Sequence, residues 1–158
     1  MVLVIIGGLF SYAVLSLKRG DMQATVVEEV RRVAAYLQAA QEEAILKHRE
    51  LALRFERERY SFLQLEEGKW VEIEGDEVFK PYLLPKQLRC QVEVLDGSIP
   101  LADDTEAAEA LVLILSSGEV SPFELSIIAT DGNRYALRSD FMGGTQMYDP
   151  DSLQGASK

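Results

Sequence analysis

The stretch "DMQATVVEEVRRVAAYLQAAQEEAILKHRE" (residues 21–50) decides the fold. No proline or glycine interrupts it. Val26, Val30, Val33, Leu37, Ala40 and Ala44 recur at alternating spacings of four and three, which draws one apolar stripe along a helix. The opposite face carries Glu28 with Arg32 and Glu43 with Lys47, each in the favourable i,i+4 order. The alanines that end the stripe and the strands that follow predict packing on a sheet rather than a seam between two helices.

Towards the N-terminus the chain is apolar or small from Met1 to Leu17, with Ser11, Tyr12 and Ser16 the only polar groups and Lys18 the first charge. The run falls slightly short of the roughly 20 residues that span a bilayer core. It lacks the basic start and small-residue cleavage site of a signal peptide. It is apolar on every face, which a domain this small could scarcely cover. The reading is a membrane segment that continues into the amphipathic helix, with a break or bend expected near Gly20.

After Glu50 the period changes to two. Leu51, Leu53 and Phe55 alternate with Arg54 and Glu56; strands are predicted over Tyr60 to Leu65 and Trp70 to Ile73, with a turn at Gly68. Leu88, Cys90, Val92 and Val94 share a face of another strand. "ALVLIL" (110–115) is read as a strand, "SSGE" as a turn and "VSPFELSIIA" (120–129) as the returning strand. "TDGN" is the next turn and "RYALRS" closes the meander. Pro122 lacks a backbone donor and is expected at an edge or bulge. "DGSIPLADDTEAAEA" reads as an acidic loop, and "YDPDSLQGASK" as a disordered tail.

With 158 residues and 47% hydrophobic side chains, the chain is one small domain plus appendages. A net charge of -10 points away from nucleic acid, whose phosphates demand a clustered positive surface. The basic residues around 47–59 are interleaved with Glu50, Glu56 and Glu58, which weakens any such patch. The single cysteine, Cys90, rules out an intrachain disulfide and falls on an apolar face, where it reads as a core residue. Trp70 likewise reads as a packing residue. His48, the only histidine, is expected on the surface near the helix C-terminus. Asp103, Asp104, Glu106 and Glu109 lack the spacing of a calcium loop, and neither Gly7–Gly8 nor Gly143–Gly144 has the strand–loop–helix context of a phosphate loop. No catalytic constellation, metal site or cofactor is expected, and the chain reads as built to assemble rather than to catalyse.

An N-terminal apolar helix, an amphipathic continuation and an antiparallel C-terminal sheet together resemble the type IV pilin-like family. Within it the likeness is to the minor pseudopilins of type II secretion systems, the GspH class, related to the FimT and FimU minor pilins. "VLVIIGGL" looks like the distal half of the pilin N-terminal segment. "LQAAQEEAILKHRELALRF", "YSFLQL", "LILSSGEVSPFELSI" and "DGNRYAL" look like the GspH domain, with the turn Gly118-Glu119-Val120-Ser121-Pro122-Phe123 the most specific piece.

The resemblance implies an α+β pilin-like fold, a long helix packed on antiparallel sheet. It divides the chain into a transmembrane and filament-core helix (1–19), an amphipathic helix (20–50), a periplasmic β-rich domain (51–148) and a flexible tail (149–158). Val2, Val4, Ile5, Ile6, Gly7, Gly8 and Leu9 would face lipid and then neighbouring subunits, and Val26, Val30, Val33 and Leu37 would pack helix on sheet. Implied partners are other pseudopilins, major and minor, inner-membrane lipid and exported proteins. The alternative within the family is a type IV pilus minor pilin serving pilus assembly or DNA uptake, against which the acidic balance argues. One departure stands: the family's basic leader, cleavage glycine, methylated aromatic and inner glutamate would lie upstream of Met1, so an internal start or a trimmed sequence is expected.

Overall fold

The computed structural model describes the backbone of residues 2–95 and 110–154, and the side chains of 21–95 and 110–152. In chain order the elements are α1 (Val2–Lys47), β1 (Leu51–Phe55), β2 (Arg59–Glu66), β3 (Lys69–Glu72), β4 (Tyr82–Leu83), β5 (Leu88–Val94), β6 (Ala110–Ile114), β7 (Phe123–Ala129), β8 (Arg134–Ser139), β9 (Thr145–Tyr148) and α2 (Pro150–Gln154). The expected acidic loop, with Asp103, Asp104, Glu106 and Glu109, lies outside the described residues.

Helix α1 is unbroken across Gly20, because one glycine costs only about 1 kcal/mol in a helix interior. It ends where the Arg49 N–H donates to the Ala44 carbonyl five residues back, at 3.1 Å. His48 takes the left-handed conformation (φ 49°) that this closing loop needs, a place usually held by glycine or asparagine. Among the described residues no helix is long and apolar enough to cross a membrane. The side chains of Val2, Val4, Ile5, Ile6 and Leu9, with Gly7 and Gly8, fall outside that description.

Two antiparallel sheets pack against α1. One has the order β3-β2-β1-β6, with β4 also beside β2; the other has the order β5-β7-β8-β9. Val26, Val30, Val33, Leu37, Ala40 and Ala44 are each no more than 1% exposed, and meet Leu51, Leu53, Phe55, Phe62, Phe123, Leu125, Ile127 and Leu137 in one core. In β7 burial alternates residue by residue, as a strand with one face to the core requires. Each large apolar side chain taken from water contributes about 1.5–3 kcal/mol, so the stripe holds the helix to both sheets.

The turns follow backbone chemistry. Glu67 and Gly68 (φ 50° and 81°) make the two-residue loop between β2 and β3, where both central residues need positive φ. Three other reversals share one design, a type I turn closed by a left-handed glycine. Gly118, Gly132 and Gly143 donate their N–H groups to the carbonyls of Leu115, Ala129 and Asp140, at 2.9, 3.0 and 3.1 Å.

The chain after Gly118 departs from the expected continuous return strand. Val120 makes a single bridge to Ile114, and the Ser121 N–H reaches the Leu113 carbonyl at 2.9 Å. The chain then leaves the first sheet at Pro122, which has no N–H with which to continue that ladder. Its carbonyl accepts instead from Leu95 N–H at 2.8 Å, and β7 runs between β5 and β8 in the second sheet. The meander also gains an unforeseen strand, β9, paired with β8 from Ala136–Tyr148 to Ser139–Thr145. The expected disordered tail begins instead with α2, tied back by Arg134 to Asp151 at 2.6 Å.

Candidate functional site

The turn that follows β6 sits against the C-terminal end of α1. Gln41 Nε2 donates to the Gly118 carbonyl at 2.6 Å and to the Met142 carbonyl at 2.8 Å. The Val120 N–H donates to the Phe141 carbonyl at 2.9 Å, so the 115–119 and 140–144 turns are bonded to each other as well as to the helix. Glu50, just beyond α1, accepts from both the Ser116 N–H (3.0 Å) and the Ser116 hydroxyl (2.7 Å). In the turn from Gly118 to Phe123, Gly118 is buried, Glu119 is exposed and Pro122 half-buried. Phe123 is fully buried with its ring 6.0 Å from that of Phe55. Phe141 and Met142 are exposed on the neighbouring loop, and Ile45 is partly exposed on the helix.

A second polar feature lies farther down the same helix. Glu29 is only 4% exposed; the Tyr82 hydroxyl donates to its Oε1 at 3.0 Å, and Oε2 has no partner. Arg32 stands 3.8 Å from that carboxylate, and its guanidinium lies 4.6 Å from the Tyr82 ring centroid. The expected Glu28–Arg32 pair is replaced by this one, since a charge beside a buried carboxylate is screened less than an exposed pair. Burial, then the Glu29 carboxylate, pushes the Tyr82 hydroxyl above its ordinary pKa. The Glu43–Lys47 pair does form, at 2.6 Å, and Arg49 joins the same carboxylate.

Gln41 and Glu29 were not among the residues expected from the sequence, although both carried a signal. Position 29 lies three beyond Val26 and four before Val33, and position 41 four beyond Leu37 and three before Ala44. A polar residue at such positions falls on the apolar stripe and must find a buried partner.

The remaining reactive groups are held in structural roles. Cys90 is half-buried; its thiol donates to the Glu56 carbonyl at 2.7 Å, and burial pushes its pKa up to about 11. Trp70 is half-exposed and pairs with Leu65 across β2 and β3. Arg54 and Arg59 share the carboxylate of Glu72, and both approach Glu56. His48 is exposed. Among the described residues no group of three or more His, Cys, Asp or Glu is placed to hold a metal ion.

Residues 29–143 match the family described as type II transport protein GspH. The chain is 34% identical over 147 residues to type II secretion system protein H of Pseudomonas aeruginosa, covering 89% of this chain and 86% of that one. It is 29% identical over 131 residues to the protein of the same name from Aeromonas hydrophila, covering 77% and 70%. The fold matches the crystal structure of the minor pseudopilin EpsH from the type II secretion system of Vibrio cholerae, with a TM-score of 0.65 and 25% identity over 82% of this chain and 96% of that one. The solution structure of E. coli GspH shares the fold, with a TM-score of 0.59 at 16% identity over 81% of this chain and 90% of that one. The family match over residues 29–143, the 34% identical relative and the shared fold therefore place this chain in the GspH family, the minor pseudopilins of type II secretion.

Proposed function

We propose that the chain is a structural subunit at or near the tip of a periplasmic pseudopilus that helps extrude folded proteins across the outer membrane. Residues 1–19 hold it in the inner membrane before assembly and pass into the filament core afterwards. There Val2, Val4, Ile5, Ile6 and Leu9 exchange lipid for neighbouring helices, and Gly7 and Gly8 permit close helix contact. Residues 20–50 form the amphipathic half of the helix. The β-rich part, 51–148, lies in the periplasm and meets other pseudopilins and exported proteins, and 149–158 forms the tail.

The observation that supports this reading is the division of labour along α1. The stripe from Val26 to Ala44 is used up against the two sheets, while the same helix continues back to Val2. A helix that commits residues 26–44 to its own domain and continues back to Val2 is suited to packing in a filament. The test is affinity capture of the full-length protein from membranes of a strain expressing the secretion system. Other pseudopilins should be recovered with it. Recovery of none would overturn the reading.

A further inference from the structure

On a protein of net charge -10, one cleft carries the opposite sign. It has a volume of about 380 Å³ and is lined by Arg57 from the β1–β2 loop, Lys86 and Gln87 from the segment before β5, Arg89 on β5, and Thr130 and Gly132 from the β7–β8 turn. Leu88 and Ala129, 3% and 4% exposed, form an apolar floor. Glu58 is the one carboxylate among the lining residues.

Two features set this cleft apart from a solvated surface. Among the described residues Arg32, Arg49, Arg54, Arg59, Arg134 and Arg138 all stand in ion pairs, whereas Arg57, Lys86 and Arg89 stand in none and, unlike the other unpaired cations Arg31, Lys69 and Lys80, line one cleft together. Glu58 lines the cleft without pairing with any of them. The walls are also tied together by main-chain hydrogen bonds. The Cys90 N–H donates to the Arg57 carbonyl, the Leu84 N–H to the Glu58 carbonyl and the Thr130 N–H to the Gln87 carbonyl, each at 2.9 Å. The three cations are thus carried on segments already fixed in place, which lowers the ordering cost of binding.

We infer that this cleft is a docking site for an acidic segment of a partner protein, with Arg57, Lys86 and Arg89 receiving its carboxylates and Leu88 and Ala129 its side-chain methylenes. The charge complementarity has a consequence for assembly: an acidic neighbour is repelled by most of this surface and attracted at one place, which sets its orientation. The identity of the partner as another filament subunit rests on the proposed function; the chemistry of the cleft does not.

The test uses full-length protein in non-ionic detergent and a fluorescein-labelled hexaglutamate peptide, followed by anisotropy. Saturable binding is expected, weakening with added salt as screening shortens the reach of the charges to about 10 Å at 0.1 M. Arg57→Glu with Arg89→Glu should weaken it about tenfold or more, and Arg57→Gln with Arg89→Gln by less, while Lys69→Glu, outside the cleft, leaves it unchanged. Equal binding by the reversed and wild-type proteins overturns the inference. So does a preference for inorganic phosphate, for duplex DNA or for vesicles of anionic lipid over the peptide. In capture from membranes, the reversed variant should lose a partner that the wild type retains; retention of every partner overturns the docking role. Wild-type protein that binds peptide yet captures no pseudopilin would count against the filament reading and leave the cleft standing.

Discussion

The side-chain amide of Gln41 occupies the place where any residue larger than glycine at 143 would put its β-carbon. A Cβ built on Gly143 falls 2.5 Å from Gln41 Oε1 and 2.6 Å from Nε2. That nitrogen also holds the Gly118 and Met142 carbonyls, so one glutamine joins the helix to two turns. Gln41→Leu keeps much of the volume and removes both donated bonds. It should destabilise the protein by about 1–2 kcal/mol, chiefly through the part-buried Gly118 carbonyl, since the bond to Met142 is exposed and water can replace it. Urea unfolding followed by circular dichroism measures it, and a change within error would show that water replaces the amide.

The glycines of the three like turns should respond differently to alanine. Gly132→Ala has open space around it and should cost only the left-handed conformation, about 1–2 kcal/mol. Gly118→Ala meets the Ile45 Cδ1 at 3.2 Å, the free end of a flexible side chain, and should cost slightly more. Gly143→Ala should cost most. Combined with Gln41→Ala it should show a coupling of at least about 0.5 kcal/mol, because the clash disappears with the amide. Strict additivity in that double-mutant cycle would refute the contact.

Stability should fall in acid. The Lys47 ammonium holds the Glu43 carboxyl below its usual value, with the charge of Arg49 assisting. The N–H groups of Val78 and Phe79 do the same for Asp76, and the Tyr148 hydroxyl followed by the Arg138 guanidinium for Glu124. Each group has a folded pKa below its unfolded one, so its contribution is complete above the unfolded value and is lost as pH drops through the folded one. The melting temperature should therefore decline as pH falls from about 5 to about 3. Glu124→Gln should flatten part of that decline, and an unchanged profile in the variant would remove Glu124 from the account.

Cys90 should resist alkylation in the folded protein. With its pKa near 11, only on the order of one thiol in a thousand is ionised at about pH 8. Iodoacetamide should label native protein roughly a hundredfold more slowly than protein unfolded in urea, because only the thiolate attacks. Equal rates would mean that the Cys90 strand opens readily.

Much of this architecture was legible in local sequence. The four-and-three spacing from Val26 to Ala44 specified which face of α1 is buried, because helical geometry maps spacing directly onto a face. Period-two alternation located β1, β5 and β7, and Gly68, Gly118 and Gly132 marked turns that need positive φ. What tertiary structure alone decided is which strands are neighbours. β1 pairs with β6 and β5 with β7 across long separations in the chain, and the crossing at Pro122 sends one expected hairpin into two sheets. Alternation says that a strand has a buried face but not which edge it joins, since every strand offers the same backbone donors and acceptors. For the same reason Gln41 and Glu29 were visible as polar residues on an apolar stripe, whereas their partners, two turn carbonyls and the Tyr82 hydroxyl, existed only once distant segments had been packed together.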